Sequence, residues 1–289
     1  MPPYRNQNAE ILRELNATIL GEGVPLITLH GGLGFDHTSF RPWLDPLAQH
    51  ASLVYFDQRG NGHATVPDDW SQITHATYAD DIERLRVALD AEQILLFGHS
   101  YGGFLALEYA WRHPDRVLGL ILCNTGATYR HLDRIIENVR RVASPTSFAA
   151  IMDWLAAPSP DDRSLALGIA PLLPLYLHAP TDALVTALFG RIAFRASAFN
   201  YALAALAPDY DVTAHLPSLE MPTLVIAGEN DPIFPWDCGP EILAAQMPNA
   251  EIARFNACGH YPFAEQPERF MESVRDWIVQ RTGRRAGDV

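Results

Sequence analysis

A short apolar run that passes directly into a serine-centred turn constrains the fold of this chain more than any other sequence feature. Residues 93–97 (QILLF) are typical of a buried strand, and GHSYG (98–102) follows at once. Residues 101–113 then favour a helix that Pro114 ends. A sharp strand-to-helix turn needs small residues beside it, and it exposes the serine, Ser100, at the carboxyl end of the strand.

The rest of the chain repeats this alternation of strand and helix. Further strands are predicted at 25–29 (PLITL), 52–56 (SLVYF), 116–122, 223–227 (TLVIA) and 251–255 (EIARF), and amphipathic helices at 78–89 and 268–279. Apolar runs separated by helical patterns are typical of the α/β class. We therefore expect a mostly parallel sheet with helices on both faces.

The alternation stops between residues 125 and 215. This segment is rich in Ala, Leu, Pro and aromatic residues, and helices are predicted at 132–142, 148–155 and 183–194. We expect a helical lid at 125–215, inserted into a core formed by 1–124 and 216–289. Within the lid, Trp154 and Phe189 are candidates for substrate contact, together with Tyr101 of the core, although aromatic residues also pack lid cores.

Composition excludes several classes of chemistry. All 21 basic residues are Arg, so no Lys is present to form a Schiff base or to bind a nucleotide phosphate in a P-loop. The net charge of −13 disfavours a nucleic-acid partner, which would require a basic surface. We expect a small-molecule substrate as the only partner that the sequence indicates, and the oligomeric state stays open.

Cysteine content and apolar patterning bear on the compartment. Three widely spaced cysteines, Cys123, Cys238 and Cys258, give neither a disulfide framework nor a zinc-binding pattern. The first ten residues contain no apolar run typical of a signal peptide. No uncharged apolar stretch reaches the ~18 residues of a membrane helix. We expect a cytoplasmic protein without a membrane partner.

A catalytic serine requires a base, because its hydroxyl is a weak nucleophile at neutral pH. Among 11 histidines, His260 lies in CGHYP (258–262), just beyond the last predicted strand. It should therefore reach the same sheet edge as Ser100. His30 and His99 lie beside other turns of this edge, and we expect them to shape those loops by hydrogen bonds.

The histidine in turn requires a carboxylate that fixes its tautomer. Asp231 lies in GENDP (228–232), directly after the strand at 223–227. Glu229 is the rival candidate two residues earlier, and Asp209 and Asp211 are weaker ones. The preferred set Ser100, Asp231 and His260 has the chain order typical of a nucleophile on such a strand-to-helix turn.

The negative charge that develops on a reacting carbonyl oxygen requires N–H donors. The backbone N–H of Tyr101, next to the nucleophile, is the first candidate. The second should come from HGGLG (30–34), after the strand at 25–29. Gly32 is preferred there and Leu33 is the second choice.

Five motifs in order carry a resemblance to a known family: HGGLG (30–34), DQRGNG (57–62), GHSYGG (98–103), GENDP (228–232) and GH (259–260). The chain resembles the α/β-hydrolase superfamily and, within it, the proline-iminopeptidase-like branch. This resemblance implies an eight-stranded sheet, a lid, and neither a metal nor an organic cofactor. Two positions depart from the branch, which usually has Pro in place of Leu33 and Trp in place of Tyr101.

The resemblance implies hydrolysis of a small ester, lactone or amide through an acyl-enzyme, with proline iminopeptidase activity as one version. An aminopeptidase needs lid carboxylates for the substrate ammonium group. Residues 189–206 contain Arg191 and Arg195 and no acid; these arginines could pack within the lid or meet a substrate carboxylate. The remaining acidic candidates of the lid are Asp133, Glu137, Asp153 and Asp182.

Two other functions stay open at this point. The same triad can hydrolyse a carbon–carbon bond of a diketone-like substrate, and a receptor on this fold could bind a ligand with slow turnover or none. Dehalogenase and epoxide-hydrolase chemistry is disfavoured, because those relatives have Asp at the position of Ser100.

Overall fold

The computed structural model describes residues 4–283. Within them, seven strands form a single sheet: β1 (Thr18–Leu20), β2 (Pro25–Leu29), β3 (Ser52–Tyr55), β4 (Ile94–His99), β5 (Val117–Cys123), β6 (Thr223–Gly228) and β7 (Ala250–Phe255). Their order across the sheet is β1-β3-β2-β4-β5-β6-β7. The short β1 runs antiparallel to β3, and all other neighbours are parallel.

Eleven α-helices accompany the sheet in this part of the chain: α1 (Tyr4–Glu14), α2 (His75–Ala88), α3 (Tyr101–Arg112), α4 (Leu132–Val142), α5 (Pro145–Leu155), α6 (Asp162–Ile169), α7 (Asp182–Phe189), α8 (Ala196–Tyr201), α9 (Pro240–Gln246), α10 (Pro262–Glu265) and α11 (Pro267–Thr282). None of the helices within residues 4–283 combines the length and apolarity that crossing a bilayer demands.

Burial on both faces explains why the central strands are continuous apolar runs. Successive residues of a strand point to opposite faces, so Leu26 and Ile27 of β2 enter different apolar clusters. One cluster includes residues of α1, α2, α3 and α9, and the other includes residues of α10 and α11. The predicted fold class, a mostly parallel sheet between two helical layers, is confirmed.

The predicted strand number is wrong for the described residues, which form seven strands rather than eight. All six strands predicted from apolar runs are present, with ends that differ by at most two residues. The edge strand β1 was not predicted, because its three residues are largely exposed and carry no apolar pattern. The first described helix leads almost directly into β1, and no further strand pairs beyond it within residues 4–283.

Five of the helices, α4 to α8, lie between β5 and β6 in the chain. The prediction of 132–142 is met by α4, whereas the predicted helix 183–194 ends at Phe189. Gly190 ends it by donating its N–H to the Thr186 carbonyl, and α8 starts afresh at Ala196. The prediction missed α6, whose start is capped by the Asp161 side chain.

Candidate active site

Ser100 occupies the turn between β4 and α3 in a backbone conformation that only glycine adopts readily. Its φ of 54° and ψ of −124° differ from both strand and helix. Its N–H donates to the Cys123 carbonyl over 3.0 Å, and its carbonyl accepts the Thr125 hydroxyl at 2.7 Å. Neighbouring strand β5 and the residues after it therefore hold Ser100 in a strained geometry, which is common at functional sites.

Close packing around this turn accounts for its glycines. A Cβ on Gly102 would lie 2.0 Å from the Leu29 carbonyl oxygen, and a Cβ on Gly31 would lie 2.9 Å from Ser100 Cβ. The start of α3 thus packs on the end of β2. The loop after β2 consequently lies directly against Ser100.

The structure brings together His260 and Asp231 in the carboxyl-edge loops that follow β7 and β6. His260 Nδ1 lies 2.8 Å from Asp231 Oδ2, and both side chains are buried. Asp231 Oδ1 also accepts the Ile233 N–H at 2.8 Å. In the tautomer that donates from Nδ1 to the carboxylate, His260 keeps Nε2 free to take a proton.

The Ser100 hydroxyl makes no hydrogen bond to any residue in the described range 4–283. Ser100 is nevertheless largely buried, with 8% of its surface exposed. Catalytic hydrogen bonds are often loose in free enzymes and tighten when substrate binds. The geometry thus provides an ordered His–Asp pair and a strained serine at one sheet edge.

Asn124 is a site residue that the sequence reasoning missed. It follows β5 with a φ of 47° and is fully buried. Its Nδ2 donates to Asp231 Oδ2 at 2.7 Å and to the Gly259 carbonyl at 3.0 Å, while its Oδ1 accepts the Gly228 N–H at 3.3 Å. The Asn124 amide therefore links Asp231, the loop that carries His260 and the end of β6.

His99 holds the backbone of His260. Its Nε2 lies 2.8 Å from the His260 carbonyl oxygen, and the two rings are 4.7 Å apart. Burial lowers the pKa of His99 well below its usual range, and the nearby His260 lowers it further. A neutral His99 can donate one hydrogen bond but adds no positive charge next to His260.

The rival acids lie elsewhere. The Glu229 carboxylate pairs with Arg254 at 3.5 Å on the surface, and Asp211 pairs with Arg130 at 3.1 Å. Asp209 is exposed. None of these three carboxylates contacts His260, so Asp231 is the acid that the geometry favours.

The candidate oxyanion donors surround Ser100. Gly32, Leu33, Tyr101 and Ser100 all line the same cavity. The N–H of Gly34 donates to Asn61 Oδ1 at 3.0 Å, which leaves the N–H groups of Gly32 and Leu33 as the loop's candidates. As the first residue of α3, Tyr101 has an N–H group with no carbonyl partner inside the helix.

Asp57 of the DQRGNG motif is fully buried and accepts several hydrogen bonds. It accepts hydrogen bonds from Asn16 Nδ2, from the N–H groups of His37 and His63, and from His37 Nδ1 at 2.6 Å. Burial opposes the charged form, but the His37 hydrogen bond, the nearby imidazoles of His30 and His37, and the His63 N–H outweigh it and lower the pKa of Asp57 to about 2. An ionised Asp57 therefore ties Asn16 and the turn at His37 to the DQRGNG loop.

A cavity of about 150 Å³ opens at Ser100 between the sheet edge and helices α4 to α6. Its lining is aliphatic and aromatic, with contributions from Ile135, Val139, Ile151, Tyr129, Tyr176 and Phe234. Of the predicted substrate contacts, Tyr101 and Trp154 line the cavity. Phe189 does not; it is buried against Tyr261, with ring centroids 5.3 Å apart.

No charged side chain of residues 125–215 lines this cavity. Arg195 donates to the Gly62 carbonyl at 2.6 Å and to Asp162 at 3.1 Å, and Arg191 donates to the Arg41 carbonyl. The guanidinium groups of both arginines therefore bind other protein groups. The acidic candidates also lie away from the lining: Asp133, Glu137, Asp153 and Asp182.

Known proteins resemble this chain in sequence and in structure. Residues 24–150 match a family model described as alpha/beta hydrolase fold. A proline iminopeptidase of Lactobacillus delbrueckii subsp. bulgaricus is 29% identical over 280 residues, which cover 91% of this chain and 93% of the relative. A thermophilic esterase of Thermogutta terrifontis superposes with a TM-score of 0.67 at 26% identity, covering 92% and 93% of the two chains. The proline iminopeptidase of Mycobacterium smegmatis gives a TM-score of 0.72 at 24% identity, covering 92% and 94%.

Proposed function

Because this chain belongs to the α/β-hydrolase superfamily, we propose that it is a serine hydrolase that cleaves uncharged, apolar esters through an acyl-enzyme. Ser100 is the nucleophile, His260 is the base and Asp231 orients the base. Residues 125–215 act as the lid that provides the apolar wall of the substrate pocket.

The proposed reaction follows from the positions of these groups. Ser100 Oγ attacks the ester carbonyl while His260 Nε2 takes the hydroxyl proton, and Asp231 stabilises the resulting imidazolium. The N–H groups of Tyr101 and of Gly32 or Leu33 stabilise the oxyanion. His260 then protonates the departing alcohol, and a water molecule activated by the same base hydrolyses the acyl-enzyme.

The choice of apolar esters as substrates rests on the residues that line the cavity. Among the described residues that face the cavity, none carries a charge. An apolar cavity of about 150 Å³ can hold a group of roughly the size of a benzene ring. An ester with a phenyl group or a chain of about six carbons would therefore remove apolar surface from water on binding.

The same observation argues against aminopeptidase activity, although proline iminopeptidases are among the relatives. The substrate of such an enzyme carries an ammonium group, and burying an unpaired charge costs several kcal/mol. Arg191 and Arg195 already donate to protein groups, so a substrate carboxylate also finds no cation at the cavity. Neutral substrates are the class that the pocket favours.

The experiment compares rates on p-nitrophenyl acetate, butyrate and hexanoate and on proline p-nitroanilide. We expect kcat/KM to rise from acetate to hexanoate by at least about tenfold, on the basis of about 0.8 kcal/mol per buried methylene. Release from the proline substrate should be near background. Faster cleavage of proline p-nitroanilide than of every ester would overturn the substrate assignment.

The nucleophile is tested with Ser100→Ala and, as a matched control, Ser273→Ala. Ser273 lies on α11, and its hydroxyl donates to the Arg269 carbonyl on the surface. We expect Ser100→Ala to lose activity by a factor on the order of 10⁴ or more and the control to keep it. Ester hydrolysis at the wild-type rate in folded Ser100→Ala would refute the proposed mechanism.

A further inference from the structure

Tyr176, in the helical segment between β5 and β6, contacts His260. The Tyr176 carbonyl accepts the His260 backbone N–H at 2.7 Å. The Tyr176 ring lies nearly parallel to the imidazole, with an interplanar angle of 26° and centroids 5.3 Å apart. Tyr176 ends a short 3-10 turn, Leu173–Tyr176, and its side chain also lines the cavity. It therefore lies between the substrate pocket and the base.

A half-buried carboxylate, that of Glu265, strengthens this attachment. Glu265 Oε1 accepts the N–H groups of Gly259 and Tyr261, which flank His260, at 3.0 and 3.2 Å. Its other oxygen accepts the N–H of His178, two residues beyond Tyr176, at 2.8 Å. The loop that carries His260 and the segment that carries Tyr176 are thus joined by two hydrogen-bonded connections.

We propose that Tyr176 is a positioning residue for His260, which couples the helical segment to the base; this inference rests on the proposed function. Its ring limits rotation of the imidazole, and its π-face favours the positive charge that His260 acquires when it takes the Ser100 proton. Phe234, whose ring is 14° from parallel at 6.2 Å, adds to the same aromatic surroundings.

Tyr129 provides a matched control. It is the same residue type in the same cavity, but its ring contacts are Phe104 and His131, both at 6.1 Å, and not His260. A change at Tyr129 alters the pocket without removing a ring that stacks on His260. Substitution of both tyrosines by Phe and by Leu therefore separates the effect on the base from the effect on substrate binding.

The experiment measures kcat and KM on p-nitrophenyl acetate and hexanoate, and the rate at which a small fluorophosphonate labels Ser100. In Tyr176→Leu we expect kcat on both esters and the labelling rate to fall about tenfold, with KM changing less than about threefold. Tyr176→Phe keeps the ring and should stay within about twofold of wild type. Tyr129→Leu should raise KM for hexanoate, and its labelling rate should fall less than that of Tyr176→Leu.

Wild-type labelling in Tyr176→Leu would overturn the proposal, as would Tyr176→Phe being as slow as Tyr176→Leu.

If Tyr176→Leu does not fold, Glu265→Gln loosens the same attachment from outside the cavity. It should slow labelling about threefold, since one charged hydrogen-bond acceptor is lost, and a wild-type rate there would also refute the coupling. Failure of the proposed function is seen separately, as full activity in Ser100→Ala.

Discussion

The side-chain amide of Asn124 and the imidazole of His260 donate to the same oxygen, Oδ2 of Asp231, at 2.7 and 2.8 Å. The Asp231 carboxylate is therefore oriented by two residues that follow different strands, Asn124 after β5 and His260 after β7. This arrangement makes Asn124 the residue whose change should disturb the His–Asp pair without altering either member.

Asn124→Asp tests this arrangement, because Asp has the same shape and also tolerates a positive φ. The new carboxylate would replace a donor by a negative charge next to Asp231. We expect kcat/KM at neutral pH to fall on the order of a hundredfold, since repulsion disrupts the alignment of His260. Asn230→Asp adds the same charge at an exposed neighbouring position and should have little effect. Equal activities of the two variants would contradict this prediction.

The strain at Ser100 predicts a difference in stability between two variants at this position. At a φ of 54° and ψ of −124°, a residue with a Cβ costs about 1–3 kcal/mol that glycine avoids. Glycine loses about 0.4–1 kcal/mol through greater freedom of the unfolded chain. We expect Ser100→Gly to exceed Ser100→Ala in free energy of unfolding by about 1 kcal/mol, measured by urea denaturation. A less stable Gly variant would show that the turn is unstrained.

Asp57 predicts how stability depends on pH in acid. Its pKa of about 2 in the folded chain lies below the value of 3.8 expected when unfolded. The charged Asp57 carboxylate therefore stabilises the fold fully above about pH 4, and this contribution of about 2 kcal/mol is lost as the pH falls from 4 to 2. Urea unfolding between pH 2 and 5 should show a steeper decline for wild type than for Asp57→Asn. Parallel declines would contradict the assignment.

Arg195 should matter for stability rather than for the choice of substrate charge. Its bonds to Gly62 and Asp162 join the helical segment to the DQRGNG loop. We expect Arg195→Gln to lower the free energy of unfolding by about 1 kcal/mol and to leave the ratio of rates on neutral and carboxylate-bearing esters unchanged. Arg163→Gln, at an exposed position of α6, is the control. A selective loss of activity on anionic esters would place Arg195 at the substrate.

Local sequence signals predicted the sheet and the loops at its carboxyl edge. Apolar runs predict six strands and glycines predict the turns that follow them. Because Ser100, Asp231 and His260 each follow one of these strands, the sequence predicts that they share one edge of the sheet. The alternative acid Glu229 was separated from Asp231 only by the structure, which shows its pairing with Arg254.

The residues that support this edge were not predictable from local patterns. Asn124 contacts Asp231, 107 positions later in the chain, and Gly259, 135 positions later. Tyr176 is one of several aromatic residues in a segment without a strand rhythm, and nothing in its neighbourhood indicates His260. The prediction that Phe189 lines the pocket rests on residue type alone, whereas its burial against Tyr261 depends on the position of α7.

The double attachment of His260 to Tyr176 and, through Glu265, to His178 limits how freely this segment can be exchanged. A chimaera that receives residues 125–215 from a relative would acquire a new pocket, but it would also replace the wall against which the imidazole rests. Transplanted specificity should therefore require a graft that leaves 173–178 in place. The lining of the cavity and the position of His260 are therefore not independent, and a successful exchange of this segment between relatives should keep residues 173–178.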